Sequence, residues 1–136
     1  RYDGLIAEIG GPEMPGVGFG MGLERLLLVL ESIGKLPENA ENPDIFIANI
    51  GDDADTFVQK LVYDLRKAGI SAERDYLSRS VKAQMKYANK LLAKFSAVVG
   101  DDDIKNNRIC VKNMETGESE DVGFSELTEY LKNALK

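Results

Sequence analysis

The sequence predicts an α/β protein: a three-layer α/β/α domain on a mixed sheet of about five strands, preceded by a strand–helix segment. Three observations carry this. From residue 44 onward, short β-branched or apolar runs alternate with stretches whose apolar residues recur at helical spacing. The first and third runs are apolar at consecutive positions, so their strands need cover on both faces. The last two runs flank a short turn, which makes an antiparallel hairpin. Strand–helix–strand units at the start give right-handed crossovers and parallel strands, and the hairpins make the sheet mixed.

Residues 1–34 are glycine-rich and apolar. Gly16, Gly18, Gly20 and Gly22 alternate with Val17, Phe19 and Met21. In a strand, the period of two puts all four glycines on one face. Such a strand gives up side-chain packing there, either because another backbone lies close or because the bare face is the floor of a ligand pocket. The pocket reading is favoured because Leu23-Glu24-Arg25 comes directly after the last glycine and opens an apolar helix containing Leu26, Leu27, Leu30 and Ile33. Arg25 stands in its first turn, where a guanidinium can stack on a flat base or pair with a phosphate. The pattern is not the dinucleotide-binding GxGxxG, because Met21 and Leu23 occupy the positions where the third glycine would be needed. Residues 35–43 hold Pro37 and Pro43 among acids and amides and read as a linker.

The third zone, 44–136, is expected to form the main domain. Asp44–Ile50, bounded by Pro43 and Gly51, is a buried strand. A helix follows from about Asp53, with Asp52, Asp53 and Asp55 at its positive end and Val58, Leu61, Val62 and Leu65 on one face. Gly69 suits its C-terminal cap. Ile70–Arg74 is a short strand. Ser80 is expected to cap a second helix running to about Phe95, with Val81, Met85, Ala88, Leu92 and Phe95 inward. Ala97–Gly100 and Arg108–Asn113 are strands. A turn at Thr116-Gly117 leads to a fifth, Ser119–Val122. Ser125 is expected to cap a last helix whose stripe is Phe124, Leu127, Leu131 and Leu135.

Composition narrows the chemistry. A single cysteine, Cys110, excludes an internal disulfide framework and a multi-cysteine zinc site. The absence of histidine excludes Ser-His-Asp and Cys-His catalysis and histidine-ligated metals. The apolar run Leu26–Leu30 is far short of a membrane span, no signal peptide is expected, and the start at Arg1 suggests a piece of a longer protein. Asp101-Asp102-Asp103 precedes a polar turn and is not assigned as a metal site. Cys110 is expected on a strand, and Tyr63, Tyr76, Tyr87 and Tyr130 are expected as packing groups.

Charge is unevenly placed. The net charge is −6. Residues 66–94 carry eight basic and two acidic side chains, a net of +6, so the remainder stands at −12. A basic patch on an acidic body suits local docking to a polyanion. Within it, Lys82, Lys86, Lys90 and Lys94 follow one another at intervals of four, with Arg79 at their start and no acid between Ser78 and Ser96. Like charges at that spacing cost a helix roughly 0.2–0.5 kcal/mol per pair. The row is either a solvated face or a phosphate-binding one.

The stretch Gly18-Phe-Gly-Met-Gly-Leu-Glu-Arg25, followed by Leu26-Leu-Leu-Val-Leu30, resembles motif 3 of class II aminoacyl-tRNA synthetases. Arg1-Tyr-Asp-Gly-Leu5 resembles the end of the second histidine-specific motif of histidyl-tRNA synthetases. Residues 44–136, including Lys82-Ala-Gln-Met-Lys-Tyr-Ala-Asn-Lys90, are similar to that family's C-terminal anticodon-binding domain. The resemblance implies a division into 1–34, a remnant of the catalytic domain; 35–43, a linker; and 44–136, the anticodon-binding domain. It implies that Arg25, with Gly20 and Gly22, belongs to the ATP site, and that Arg25 is catalytic. It places Tyr2 and Gly18 at the histidine site and makes Arg79, Lys82, Lys86 and Lys90 the tRNA-binding residues. ATP is then a substrate, Mg²⁺ acts in the full-length enzyme with no ligand identified here, and the partners are tRNA(His), histidine and ATP. The full-length enzyme is expected to be a cytoplasmic homodimer without membrane contact. Motifs 1 and 2 are not found in the sequence, so the fragment alone is expected to be inactive. The alternatives are the anticodon-binding part of a proline, threonine or glycine enzyme, a non-catalytic paralogue of histidine biosynthesis, or a stand-alone RNA-binding module. Arg1-Tyr-Asp-Gly-Leu5, the presence of an anticodon-domain segment, and Gly16–Arg25 weigh against these respectively.

Overall fold

The apolar run after Pro43 becomes β1 (Ile45–Asn49), and its side chains alternate between two buried faces. Ile45 and Ile47 enter one core, Phe46 and Ala48 the other, and all four are fully buried. The computed structural model describes residues 1–36 and 42–136. Most of the linker predicted over 35–43 lies outside the described residues. The chain divides into two compact units, Arg1–Asn39 and Ala40–Lys136.

In the second unit, β1 is followed by α3 (Asp52–Lys67), β2 (Ala72–Arg74), α4 (Val81–Lys90), β3 (Phe95–Val99), α5 (Asp101–Lys105), β4 (Arg108–Asn113), β5 (Ser119–Gly123) and α6 (Leu127–Ala134). The strand order is β2-β1-β3-β4-β5. β1 pairs parallel to β2 and β3, and the β3–β4 and β4–β5 pairs are antiparallel. The sheet is therefore mixed and five-stranded, as expected. On one face α3 and α6 cover Ile45, Ile47, Ala97, Ile109 and Val111 with Val58, Leu65, Leu127 and Leu131. On the other, α4 covers Phe46 and Ala48 with Ala88, Met85 and Tyr87. This second layer is narrower. The outward positions Arg108, Cys110 and Lys112 of β4 and Asp121 of β5 remain exposed, so Cys110 is a strand-face thiol.

The end of α3 follows the expected chemistry. Gly69 has φ +87°, and the Gly69 and Ile70 N–H groups donate to the carbonyls of Arg66 and Leu65. That is the Schellman arrangement. The same device corrects the expectation for α4, which stops at Lys90 instead of running to Phe95. Leu92 has φ +53°, and the Leu92 and Ala93 N–H groups donate to Asn89 and Ala88. Leu92 is thus an exposed left-handed cap, not an inward residue, and Phe95 opens β3. A leucine in this conformation costs about 1–2 kcal/mol, and with no glycine at the position the sequence carries no mark of the stop. Ser80 makes no side-chain cap bond, and α6 begins after Glu126, not at Ser125. Residues 101–105 form the single turn of α5, where the Asp103 carboxylate accepts the Gly100 N–H at 2.9 Å. Asn113 organises the hairpin turn by accepting the Glu115 and Thr116 N–H groups, with Gly117 at φ +78°.

The first unit holds α1 (Leu5–Glu8) and α2 (Leu23–Ser32). The predicted glycine strand is not a strand ladder. Its regular pairing among the described residues is a bridge between Tyr2 and Gly16. An alternating pattern makes a strand only where a neighbour supplies hydrogen-bonding groups along its length.

Candidate nucleic-acid interface

Two groups of sequence-predicted residues are brought together within their own units. In the first, the Tyr2 N–H donates to Gly16 O at 2.9 Å and the Gly16 N–H to Tyr2 O at 3.3 Å. That pairing lays the Tyr2 ring beside Gly18, where a Cβ would come within 3.4 Å of Tyr2 Cε2. A Cβ there would make ordinary van der Waals contact with the ring. Gly20 faces open space, and Gly22 is the N-cap of α2. Arg25 lies in the first turn of α2, exposed and with no ion pair to any described acid. Phe19 is 90% exposed and Met21 also projects outward.

In the second unit the basic segment separates by residue type. Its arginines are built into the fold. Arg66 Nε donates to Ala72 O at 2.8 Å and Arg66 Nη2 pairs with Glu73 at 3.1 Å. Arg74 pairs with Asp55 at 2.7 Å. Arg79 pairs with Asp75 and lies over the Tyr87 ring at 4.2 Å. The lysines behave otherwise. Lys82, Lys86 and Lys90 are exposed, and no described acid lies within 4.0 Å of them. Lys94, next in the row, reaches Asp44 at 2.9 Å. The planar guanidinium suits fixed, forked contacts, whereas the lysine ammonium is a hydrated point charge on a flexible stem.

Two buried polar residues hold this region, and neither was legible as such in the sequence. Asp75 is 2% exposed; its carboxylate accepts the N–H groups of Leu77 at 3.2 Å and Arg79 at 2.8 Å, besides the Arg79 guanidinium. Burial pushes its carboxyl up, but these hydrogen bonds and the guanidinium charge outweigh it and hold the carboxyl below its ordinary value. Gln84, also 2% exposed, accepts the Asn49 N–H and donates to Asn49 O, each at 3.0 Å, and donates to Arg79 O at 2.7 Å. It ties the end of β1 to the loop before α4. The available signal was a single amide four residues before Ala88 on the inward face of that helix.

Of the tyrosines expected to pack, Tyr87 does so against Phe46, but Tyr63 and Tyr76 are exposed. Tyr76 sits between two arginines: the Arg74 guanidinium is 4.8 Å from its ring centre, and Arg66 Nη2 donates to its hydroxyl at 3.2 Å. Beside Arg66, a hollow of about 590 Å³ runs along the β2 edge, with Ala72, Glu73, Lys90 and Leu91 among its walls.

Comparison with known proteins adds to this geometry. Residues 44–134 match the family described as the anticodon binding domain. The chain is 54% identical over 133 residues to a histidine–tRNA ligase of Acetivibrio thermocellus, covering 97% of this chain and 32% of that protein. It is 51% identical over 136 residues to a histidine–tRNA ligase of Clostridioides difficile, covering 99% and 32%. Apo histidyl-tRNA synthetase of Staphylococcus aureus aligns with a TM-score of 0.66 at 49% identity, over 96% of this chain and 34% of that one. The RNA-binding domain of a threonyl-tRNA synthetase from Cryptosporidium parvum aligns with a TM-score of 0.62 at 12% identity, over 68% and 23%, a likeness of fold alone. The chain spans about a third of the length of the curated relatives it matches. Among the described residues, no helix is long and apolar enough to cross a membrane.

Proposed function

The chain belongs to the anticodon-binding domain family over residues 44–134, and from that premise we propose that it is the tRNA-recognising part of a cytoplasmic, homodimeric histidine–tRNA ligase. Its partner is then tRNA(His), and the whole protein activates histidine with ATP and transfers it to that RNA. In this reading residues 1–34 come from the catalytic domain, 35–43 link, and 44–136 recognise the anticodon. Tyr2 and Gly18 contribute to the histidine pocket, where a phenol can hydrogen-bond an imidazole. Gly20, Gly22 and Arg25 contribute to the ATP site, with Arg25 offering to base or phosphate a guanidinium that pairs with no described acid. Mg²⁺ would supply charge stabilisation at phosphate. No group of three carboxylate or thiol side chains able to hold a metal occurs among the described residues, so these residues do not by themselves fit the ion.

The observation that carries the RNA reading is the contrast between the built-in arginines and Lys82, Lys86 and Lys90, which pair with no described acid. Lys82, Lys86 and Lys90 keep their charge available on one helix, while Arg79 holds the preceding loop and acts by positioning. Phosphate contacts by lysine fix position and orientation without reading sequence. The test is a salt titration of tRNA(His) affinity for the wild type and for Lys82→Ala, Lys86→Ala and Lys90→Ala. Replacing a contacting lysine should weaken binding equally across anticodon variants and flatten the salt slope by about one. Unchanged affinity and slope in all three would make the row a solvated face.

A further inference from the structure

We propose that Tyr76, with the hollow along the β2 edge, is a stacking platform for an unpaired nucleobase of the bound RNA. The inference rests on the RNA-binding reading above and adds to it a residue that touches a base instead of a phosphate.

Four features support it. Tyr76 is 59% exposed, so its ring is not part of the core. Its position is set from both sides: Arg74 lies over the ring, and Arg66 holds the hydroxyl. Both arginines are anchored in turn, Arg74 by Asp55 and Arg66 by Glu73 and Ala72 O. The loop that carries the ring is held by Asp75, which gathers the Leu77 and Arg79 N–H groups, and by Gln84 on Arg79 O. A ring fixed before binding loses little freedom when a base stacks on it. The charge around it is also arranged for RNA. The three arginines are paired with Glu73, Asp55 and Asp75, which fixes Arg66 and Arg74 beside the ring. Lys90 forms a wall of the adjoining hollow, and Lys82 and Lys86 lie on the same helix. An RNA seated on the ring and in the hollow beside Arg66 would meet aromatic surface and the Lys90 ammonium, the combination by which single-stranded nucleic acid is held. Leu77, also exposed, extends the apolar surface.

The experiment uses the 136-residue chain and an anticodon stem-loop RNA of tRNA(His) carrying a fluorescent base analogue at each unpaired position in turn. Wild type, Tyr76→Phe and Tyr76→Ala are compared for affinity, for fluorescence of each labelled base, and for denaturation midpoint. Stacking of one base corresponds to about a five- to hundredfold loss of affinity in Tyr76→Ala. Tyr76→Phe keeps the ring and should bind within about twofold of wild type. One labelled position should be quenched by wild type and Tyr76→Phe and released in Tyr76→Ala. Unchanged midpoints would show that the loss is not one of folding, as the exposure of the ring requires. Wild-type affinity and quenching in Tyr76→Ala would overturn the platform and leave the RNA reading standing. So would a change confined to the oligomeric state of Tyr76→Ala, which would make the ring a protein contact. If the wild type itself has no affinity for the stem-loop, the RNA reading falls and the platform falls with it.

Discussion

The helices α2 and α3 begin from similar material and end differently. α2 has six apolar residues in ten, and none of its residues is buried. α3 is more polar, yet Ala54, Val58, Val62 and Leu65 are buried. The difference is the surface each is given. The inward stripe of α3 meets β1 and β2 and closes a core with them. The described residues of the first unit supply no sheet for α2; the Tyr2–Gly16 bridge is their strand pairing. Apolar spacing is therefore enough for a helix but not for its burial. The relatives are about three times longer than this chain, which under the proposed function accounts for the material α2 lacks.

The comparison can be broken at three strengths. The largest effect should come from the buried polar frame of the second unit. Asp75→Ala leaves the Leu77 and Arg79 N–H groups and a guanidinium without their acceptor, and should cost about 4 kcal/mol. Denaturant unfolding with circular dichroism reads this directly. The same contact has a pH signature. The Asp75 carboxyl is held lower in the folded chain than in the unfolded one. Its stabilisation is thus complete above the unfolded carboxylate value, about 3.9, and is lost as pH falls through the folded one. Wild type should lose stability below about pH 4 more steeply than Asp75→Ala; equal acid profiles would show that Asp75 contributes nothing by its charge.

A matched pair of core deletions tests the comparison itself. Leu65→Ala, at a fully buried position of α3, should cost about 3 kcal/mol. Leu27→Ala, on the half-exposed face of α2, should change the stability of this chain by no more than about 0.5 kcal/mol. A comparable loss from both would mean that α2 is buried in solution. The smallest effect is expected from the lysine row. Lys86→Ala removes the like-charge repulsion with Lys82 and Lys90, four residues away on either side, and should raise stability by roughly 0.4–1 kcal/mol for the two pairs together. A clear loss, read as a lower denaturant midpoint, would mean that Lys86 has a partner in the fold.

What the residues themselves determined was the second unit's class and the order of its strands and longer helices; the short α5 at Asp101–Lys105 reads in the sequence only as a polar turn. The alternating apolar runs led to a mixed five-stranded sheet with helices on both faces, because strand and helix periods are local properties. Gly69 marked the end of α3 for the same reason: its left-handed backbone is a property of one residue. Tyr2 and Gly18, paired through resemblance, lie side by side. Tertiary structure decided the rest. It stopped α4 at a left-handed Leu92 in favour of starting β3 at Phe95, where the gain from a buried strand exceeds the cost of the cap. It turned Gln84 inward, because the ends of β1 and the loop before α4 left backbone groups that only a buried amide could satisfy. It divided one basic segment into Arg66, Arg74, Arg79 and Lys94, which pair with acids, and Lys82, Lys86 and Lys90, which meet no described acid, since which acids lie opposite depends on residues distant in the chain, such as Asp55 for Arg74 and Asp44 for Lys94. It left the glycine run without a ladder, because a strand is completed by its neighbour and not by its own alternation.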